Sequence, residues 1–316
     1  MSNSSLTVYY DVLYAPVTFD FISFMANAHL VKDMLGAQCI DLNIIAGTFR
    51  NKTPREKVYD TEQKTWRFNH IIKESVDLMP RVASSKYSFE NLSELKIPYF
   101  PSNYPPRANE KDKFILPYQP SFALSLPKHR QYANSMRFLK APKFAHTLIN
   151  AAVPESSKNI SITLRTSLFQ AARNSNLGAW KALHDYLYSN GYNVFIIPDF
   201  EDVFGERHAW HYDWNILEYS ATNHSLRLAV YERCLLNLAV NNGTTTLLYY
   251  SSNPSLVFKI LTPGIGTTSP DFMMRSSGLS IGEKPFHFLP TQNLIWADDT
   301  SETLISEVEK WLHIHS

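Results

Sequence analysis

The sequence is poor in cysteine and has no long apolar run, and each scarcity excludes a class of protein. Its 316 residues include two cysteines, Cys39 and Cys234, both within apolar runs. We expect each to be a small buried side chain, because no histidines stand beside them at the spacing of zinc ligands. No stretch of about 18 apolar residues occurs, so no membrane-spanning helix is predicted. Residues 1–5 lack the basic and apolar regions of a signal peptide, which indicates a cytoplasmic protein.

Glycine is also scarce, which decides against several nucleotide-binding and catalytic motifs. Of the 10 glycines, only Gly36 and Gly47 fall in the first half of the chain. Neither a Walker A loop nor a GxGxxG dinucleotide fingerprint can therefore be placed there. The G-x-S-x-G pattern of the α/β-hydrolase elbow occurs once, at Gly278-Leu279-Ser280-Ile281-Gly282, where no strand-to-helix turn is predicted.

Neither sign of charge prevails. Lys and Arg number 30 against 29 Asp and Glu, so the formal net charge is +1 with the histidines neutral. A chain with so small a net charge has no strong positive potential to bind nucleic acid non-specifically, and nucleic-acid-binding proteins are excluded as a class. Hydrophobic residues make up 44% and aromatics 13% of the sequence, which is typical of a folded globular protein. The length predicts one large or two medium domains.

The first half predicts alternating strands and helices. A β-branched and aromatic run at residues 6–13 indicates a strand, and residues 18–36 indicate a helix that ends at a glycine. A second strand is predicted at Cys39–Ile45 and a second helix at residues 62–79. This order is typical of a parallel sheet with helices on its faces.

A segment rich in proline and tyrosine follows at residues 98–127. It holds seven of the 18 prolines, interleaved with aromatic side chains. Proline removes backbone donors, so regular elements are not expected there, and the aromatics argue against a free linker. We predict a long ordered loop against the body of the domain or over a cleft. Prolines and serines further on place the domain boundary at 150, giving domains 1–150 and 151–316.

The second half repeats the alternation. Residues 160–164 and 192–197 indicate buried strands, and the helix between them, at 177–190, is ended by Gly191. The chain therefore predicts a βαβ unit. The fold class that both halves predict is α/β, with two Rossmann-like lobes whose parallel sheets face a cleft.

Three further elements are predicted after the βαβ unit. The apolar run at 226–240 indicates a buried helix, and residues 246–250 indicate a third strand, followed by a helix that begins near Pro254. The last helix is expected to begin with Asp299 as its N-cap and Glu302 three residues later, as in a capping box.

Ligands of open α/β sheets bind beyond the carboxyl ends of the strands, and this rule selects the candidate residues of the second half. Arg165 and Arg173 lie in a loop of hydroxyl and amide side chains, a composition that suits phosphate. Ser251 and Ser252 are expected at the start of a helix, where an anion is attracted. A diphosphate site of these four residues is the prediction, and a solvated loop and an ordinary capped helix are the alternatives.

Three other residues of this half are candidates for binding a ribose or a base. Asp199 follows a predicted strand, where a carboxylate can bind ribose hydroxyls, although a solvated acidic loop is the alternative. His208 and His211 are separated by three positions in an aromatic loop, which favours contact with a base or a sugar. Because a third ligand and an orienting shell are not evident, no metal site is predicted.

Two carboxylates of the first half are candidates for catalysis. Asp11 ends the first strand and Asp20 lies at the start of the following helix. A carboxylate in either place could act as a general base toward an acceptor hydroxyl. The alternative for Asp20 is a favourable charge in the first turn of its helix, without any catalytic role.

The second half resembles the donor-binding domain of GT-B glycosyltransferases, especially the fucosyltransferase-like group, over roughly residues 160–260. In that group an arginine after the first strand of the C-terminal domain binds the nucleotide diphosphate, and a later serine-rich turn completes the site. The matching places are Ile162-Thr163-Leu164-Arg165 and Tyr250-Ser251-Ser252. The group's His-x-Arg followed by Gly-Asp, and its glycine-rich acceptor loop, are missing here.

The resemblance implies an enzyme of polysaccharide biosynthesis. Such a transferase moves a sugar from a nucleotide-sugar donor to a glycan acceptor that can be lipid-linked, with no metal ion and with no cofactor beside the donor substrate. Two other interpretations stay open. A non-catalytic protein would bind a nucleotide or sugar without turnover, and an interaction protein would bind a partner through residues 98–127 and no nucleotide.

Overall fold

The chain folds into two compact units, Met1–Lys140 (unit 1) and Ala141–Ser316 (unit 2). The computed structural model describes residues 5–88, 97–107, 109, 111, 114–205 and 207–315, without the side chains of Pro54, Arg55 and His211. No helix within these ranges is long and apolar enough to cross a membrane.

Unit 1 is built on a sheet of four parallel strands in the order β3-β2-β1-β4. The strands are β1 (Ser5–Asp11), β2 (Cys39–Ile45), β3 (Val82–Ser88) and β4 (Tyr99–Phe100). The helices are α1 (Asp20–Met34), α2 (Pro54–Val58), α3 (Thr61–Arg67), α4 (Glu74–Val76) and α5 (Ser121–Ser125). A π-helical turn, Phe68–Lys73, joins α3 to α4, and a 3-10 segment spans His129–Met136.

The predicted strands and first helix of unit 1 are confirmed. Strand β1 is buried along almost its whole length, as a parallel strand with both faces covered must be. Helix α1 ends at Met34 with Leu35 as its C-cap, and the following Gly36 has φ +70°, a left-handed conformation that glycine adopts without strain. The helix predicted at residues 62–79 is present as α3, the π-helical turn and α4.

The described part of the segment rich in proline and tyrosine packs within unit 1. Strand β4 within it pairs with β1, so the segment extends the sheet by one short edge strand. Tyr104 stacks on Tyr9 with ring centroids 5.6 Å apart, and Phe100 lies 5.3 Å from Phe24. Asn27 of α1 donates to the carbonyl of Pro117 at 2.7 Å. Aromatic burial and a buried amide therefore order a stretch that proline keeps out of longer elements.

Unit 2 contains a five-stranded parallel sheet in the order β6-β5-β7-β8-β9. The strands are β5 (Asn159–Thr163), β6 (Asn193–Ile197), β7 (Leu236–Val240), β8 (Ser255–Phe258) and β9 (Gln292–Leu294). The longer helices are α7 (Leu177–Ser189), α10 (His224–Glu232), α12 (Pro270–Ser277) and α13 (Ser301–His315). The short helices are α6 (Lys143–Ile149), α8 (Phe200–Phe204), α9 (Glu218–Thr222) and α11 (Thr246–Tyr249).

The βαβ unit of β5, α7 and β6 is present as predicted. Asn176 caps α7 by accepting from the backbone N–H of Ala179 at 3.3 Å, and Gly191 beyond its end has φ +80°. Trp180, Leu183 and Leu187 form the buried stripe of the helix. With the parallel sheet of unit 1, this confirms the α/β class.

The helix predicted at 226–240 is wrong. Helix α10 ends at Glu232, and the same apolar run continues as the fully buried strand β7. A strand covered on both faces and a buried helix are both apolar at every position, so periodicity does not separate them.

The strand predicted at 246–250, and the helix predicted after it, are also wrong. Thr246–Tyr249 is helix α11, and the residues after Pro254 form strand β8. The cause is upstream, where the Asn242 side chain accepts from the N–H groups of Thr244 and Thr245 and starts a helical turn. Local capping overrides the strand propensity of the threonines.

Unit 2 begins at Ala141, ten residues before the predicted start at 151. Glu232, the last residue of α10, accepts from the N–H of Ala141 at 2.8 Å, and its other oxygen lies 2.9 Å from His146 Nε2. Arg233 donates to the carbonyl of His146 at 2.9 Å. These contacts attach α6 to unit 2, although its sequence reads as part of a connection.

Candidate active site

The sheet of unit 2 has its topological switch point between β5 and β7. From β5 the chain moves to β6 on one side, and from β7 it moves to β8 and β9 on the other. The loops that leave the carboxyl ends of β5 and β7 therefore diverge, and ligands of such sheets bind between them. Arg173, from the first loop, donates to the carbonyl of Asn241, at the end of β7, at 3.0 Å. This contact marks the candidate site.

Arg165 is folded into its own loop. The residue is 4% exposed, and its guanidinium donates to the carbonyls of Phe169 and Gln170 and to the side chain of Asn174. The prediction placed this guanidinium on a diphosphate, whereas the structure directs it to loop acceptors. A buried cation needs acceptors, and the loop provides three; binding of a diphosphate by Arg165 stays a prediction.

Arg173 is the guanidinium that reaches the switch point. It is half-buried and donates to the side chain of Gln170 at 3.2 Å as well as to Asn241. Tyr249 joins the group by donating to the side-chain oxygen of Asn241 at 3.3 Å. Burial raises the pKa of Tyr249 to about 12, so the phenol keeps its proton at neutral pH.

The turn after β7 is a part of the site that the sequence did not reveal. The Asn242 side chain accepts from the Thr244 N–H at 2.9 Å and from the Thr244 hydroxyl at 2.7 Å. In the sequence analysis, Asn241-Asn242-Gly243 lies only between the helix predicted at 226–240 and the strand predicted at 246–250. Once β7 is recognised as a strand, the same residues become the loop at its carboxyl end, next to Arg173.

Ser251 and Ser252 lie at the opposite edge of the sheet. They precede β8, at its amino end, whereas Arg165 follows the carboxyl end of β5, and all strands are parallel. Ser251 is buried and donates to the carbonyl of Leu248, and Ser252 is exposed. Their predicted place at the start of a helix was wrong because β8 is a strand, and they do not share an edge with Arg173.

Asp199 connects the loops after β6 and β5. Its carboxylate accepts from the N–H of Thr166 at 3.1 Å, and the neighbouring Glu201 accepts from the N–H of Leu168 at 2.6 Å. Burial raises the pKa of Asp199. The residue lies at the predicted edge of the sheet, and the contact that the structure shows for its carboxylate is to the backbone.

His208 is oriented by a buried carboxylate. Asp202, whose side chain is fully buried, accepts from the backbone N–H groups of His208 and Ala209 and lies 2.8 Å from His208 Nδ1. The side chain of His211 lies outside the described residues. In the part of the chain that the structure describes, no three His, Cys, Asp or Glu side chains are grouped to hold a metal ion.

The two carboxylates of unit 1 differ in their surroundings. Asp11 is buried and accepts from the Tyr104 hydroxyl and from the N–H of Leu13, each at 2.9 Å, and burial raises its pKa. Asp20 is half-buried at the start of α1 and accepts from the Thr18 hydroxyl at 2.6 Å. The contacts of Asp11 are thus those of a buried structural residue, and Asp20 is the more accessible carboxylate of the two.

Asp299 does not cap α13. It binds the end of the loop that joins β5 to α7. Its carboxylate accepts from the N–H of Asn176 at 2.8 Å, from Trp180 Nε1 at 2.9 Å and from Lys259 at 3.1 Å. The cap of α13 is Thr300, whose hydroxyl accepts from the N–H of Thr303 at 3.2 Å. The predicted N-cap was therefore wrong by one residue, and the aspartate instead binds the start of α7.

Replacing Asp299 by alanine should lower the free energy of unfolding of unit 2 by about 3 kcal/mol, because the buried Trp180 Nε1–H and the Asn176 N–H lose their acceptor and the half-buried Lys259 ammonium loses one of its acceptors. Urea unfolding followed by tryptophan fluorescence measures this, since five of the six tryptophans lie in unit 2. Asp298→Ala is the matched control. That side chain is 68% exposed, and its loss should cost less than about 1 kcal/mol. Equal losses for the two variants would contradict the buried role.

Comparison with known proteins places this geometry in a known fold. No protein-family model and no curated protein matches the sequence. A solved structure of the glycosyl transferase family 9 from Veillonella parvula DSM 2008 is similar over 99% of both chains, with a TM-score of 0.50 and 9% identity. The ADP-heptose LPS heptosyltransferase II of E. coli is similar over 98% of this chain and 99% of its own, with a TM-score of 0.52 and 12% identity. The GT-B fold is thereby confirmed, and the narrower likeness to the fucosyltransferase-like group is not shown.

Proposed function

We propose that this chain is a glycosyltransferase that moves a sugar from a nucleotide-sugar donor to a glycan or polysaccharide acceptor. The GT-B fold supports the proposal, because both similar structures are named as transferases and one is named for ADP-heptose, a nucleotide sugar. A donor of this kind suits a cytoplasmic site of action. The nucleotide sugar is a substrate, and the proposal includes no separate cofactor and no metal ion.

The observation that carries the proposal is the position of Arg173 at the switch point of unit 2. Its guanidinium lies between the loop after β5 and the end of β7, held by Gln170 and Asn241. An arginine offers a planar set of donors that matches the oxygens of a diphosphate. Of the four residues predicted to bind the diphosphate, Arg173 keeps that role in our proposal, and the turn of Asn242 and Thr244 lies beside it.

The chemistry asked of this site is stabilisation of a leaving group. When the bond between the sugar and the diphosphate breaks, negative charge develops on the diphosphate oxygens. A guanidinium that is already in place stabilises this charge without reorganising, and such preorganisation accounts for much of the rate enhancement in many enzymes. We propose that Arg173 supplies this charge in place of a metal ion, and that Asp199 and His208 lie on the side of the ribose and base.

Nucleotide binding tests the proposal through thermal stability. In a panel of UDP, GDP, CMP and ADP, one nucleotide should raise the melting temperature, with about 2.7 kcal/mol of stabilisation at 100 times its Kd. Arg173→Gln should weaken that affinity by roughly 10- to 100-fold, since a hydrogen bond to a charged group is lost. Lys310→Gln removes the same charge from an exposed position on α13 and should leave the shift unchanged.

The same panel separates the three interpretations of the sequence. A shift together with donor turnover supports the transferase. A shift with no turnover for any acceptor would instead support a non-catalytic binding protein. No shift with any of the four nucleotides would contradict the proposal and favour an interaction protein, which should lose its partner when residues 98–127 are deleted.

A further inference from the structure

The Arg165 guanidinium binds three acceptors of its own loop. It donates to Phe169 O, Gln170 O and Asn174 Oδ1, and the residue is buried. We infer that Arg165 is a positioning residue, which keeps the loop closed so that the Arg173 guanidinium stays at the end of β7. The expected effect of Arg165 on nucleotide binding rests on the proposed function. Its effect on the structure of the loop does not.

Gln170 links the two arginines. Its carbonyl accepts from Arg165 Nη1 at 3.2 Å and from the backbone N–H of Arg173 at 2.9 Å. Its side-chain oxygen accepts from Arg173 Nη1 at 3.2 Å. Gln170 has φ +55°, in the left-handed region that residues other than glycine seldom adopt. Such a conformation persists only where neighbouring contacts hold it, and here the Gln170 carbonyl is held by the Arg165 guanidinium and by the backbone N–H of Arg173.

The base of the loop is closed by a second set of bonds. The N–H of Arg165 donates to Ser175 Oγ at 2.9 Å, and the N–H of Ser175 donates back to Arg165 O at 2.8 Å. Asn174, which accepts from Arg165, donates to Ser167 O at 3.0 Å. Hydrogen bonds thus close the loop from Arg165 to Ser175 into a ring. The Arg173 side chain extends out of this ring, and its guanidinium donates to the carbonyl of Asn241.

Only arginine can serve at position 165 in this way. Its planar fork donates in several fixed directions at once and so binds two carbonyls and an amide together. A lysine carries the same charge on a single nitrogen. Arg165→Lys therefore keeps the charge and removes the geometry, whereas Arg165→Gln removes both.

A double-mutant cycle tests whether Arg165 acts through Arg173. The probe is whichever of UDP, GDP, CMP and ADP gives the largest thermal shift, and the measurement is its Kd by calorimetry. We expect Arg165→Lys and Arg165→Gln each to weaken binding at least about tenfold. In an Arg173→Gln background the same changes should add less than about twofold, because a residue that acts through another loses its effect when the other is gone. Losses that multiply would show that both guanidiniums contact the ligand and would overturn the inference.

Hydrogen exchange of the ligand-free protein separates failure of this inference from failure of the proposed function. The N–H groups of Arg173, Asn174 and Ser175 are bonded within the ring. Their exchange should accelerate at least about tenfold in Arg165→Lys and stay near the wild-type rate in Arg173→Gln. Unchanged exchange in Arg165→Lys overturns the positioning role even if nucleotides bind. Accelerated exchange without any nucleotide binding supports the role of Arg165 in the loop and contradicts the proposed function alone.

Discussion

Between pH 7 and pH 4.5 the wild-type protein should lose about 2.5 kcal/mol more unfolding free energy in unit 1 than a His29→Leu variant loses. His29 lies in α1 with no exposed surface, and its ring stacks on Phe138 at a centroid distance of 4.3 Å. Neither ring nitrogen has a hydrogen-bond partner among the described residues. An imidazole in such a site is stable only while it is neutral.

The pKa of His29 sets the direction and range of the effect. Burial is the main cause that lowers this pKa from 6.5 to about 3; the nearby Lys32 and Arg81 contribute to the shift, and the charge of Asp33 opposes it. The unfolded chain therefore takes up a proton as the pH falls below 6.5, and the folded chain does not until about pH 3. The stability from neutral His29 is complete above pH 6.5, falls between 6.5 and 3, and reaches a total loss of about 5 kcal/mol.

Urea unfolding at several pH values, with hydrogen exchange in peptides that cover α1, reports on unit 1 rather than on the whole chain. His70→Gln is the matched control in the same unit. That imidazole is 43% exposed and lies 2.9 Å from Glu74, so its loss should change the pH dependence by less than about 1 kcal/mol. Parallel curves for the wild type and His29→Leu would show that the protonated imidazole is accommodated, and would contradict the prediction.

The elements that the sequence predicted correctly are those with a local stop signal. Helix α7 and strand β6 are separated by Gly191, and the left-handed backbone there requires little more than the glycine itself. Strand β2 follows a glycine in the same left-handed region, Gly36, and a second glycine, Gly47, comes two residues after its end. In these places local residues set the ends of the element, and tertiary contacts bury the element without changing its type.

The errors fall where tertiary structure decides the element. Leu236–Val240 is apolar enough for a helix, and its pairing with β5 and β8 makes it a strand. Sequence separations of about 76 residues, as between Ser161 and Asn237, lie beyond any local pattern. Once β7 was interpreted as part of a helix, the next strand was placed at 246–250, and Ser251 and Ser252 were assigned to the wrong edge.

The candidate site shows how far residue type alone can lead. Composition identified the loop after β5, and both of its arginines were predicted to bind an anion. Which guanidinium faces the switch point depends on acceptors such as Gln170 O and Asn241 O, and backbone carbonyls have no signature in a sequence. The turn at Asn242 was missed for a related reason, since its importance comes from the order of the strands.

Replacing Asp20 by asparagine should lower kcat for sugar transfer by about 10²- to 10⁴-fold while the Kd of the donor nucleotide stays within about twofold. This prediction rests on the proposed function together with the hypothesis from the sequence that a carboxylate of unit 1 takes the proton of an acceptor hydroxyl. Asp20 is half-buried at the start of α1, and the Thr18 hydroxyl orients it through a 2.6 Å hydrogen bond. Release of nucleoside diphosphate in the presence of an active acceptor measures kcat, and calorimetry measures the Kd.

Asp33→Asn and Asp11→Asn are the control variants for Asp20→Asn. Asp33→Asn removes a half-buried carboxylate near the other end of α1, where it pairs with Lys32 and Arg81, and should leave kcat within about threefold. Asp11→Asn should mainly destabilise unit 1, because that carboxylate accepts from the buried Tyr104 hydroxyl and from Leu13. If Asp11→Asn abolishes turnover in a stably folded protein and Asp20→Asn does not, the base is Asp11. Full kcat in Asp20→Asn would remove Asp20 from the chemistry and leave it as a charge that favours the first turn of α1.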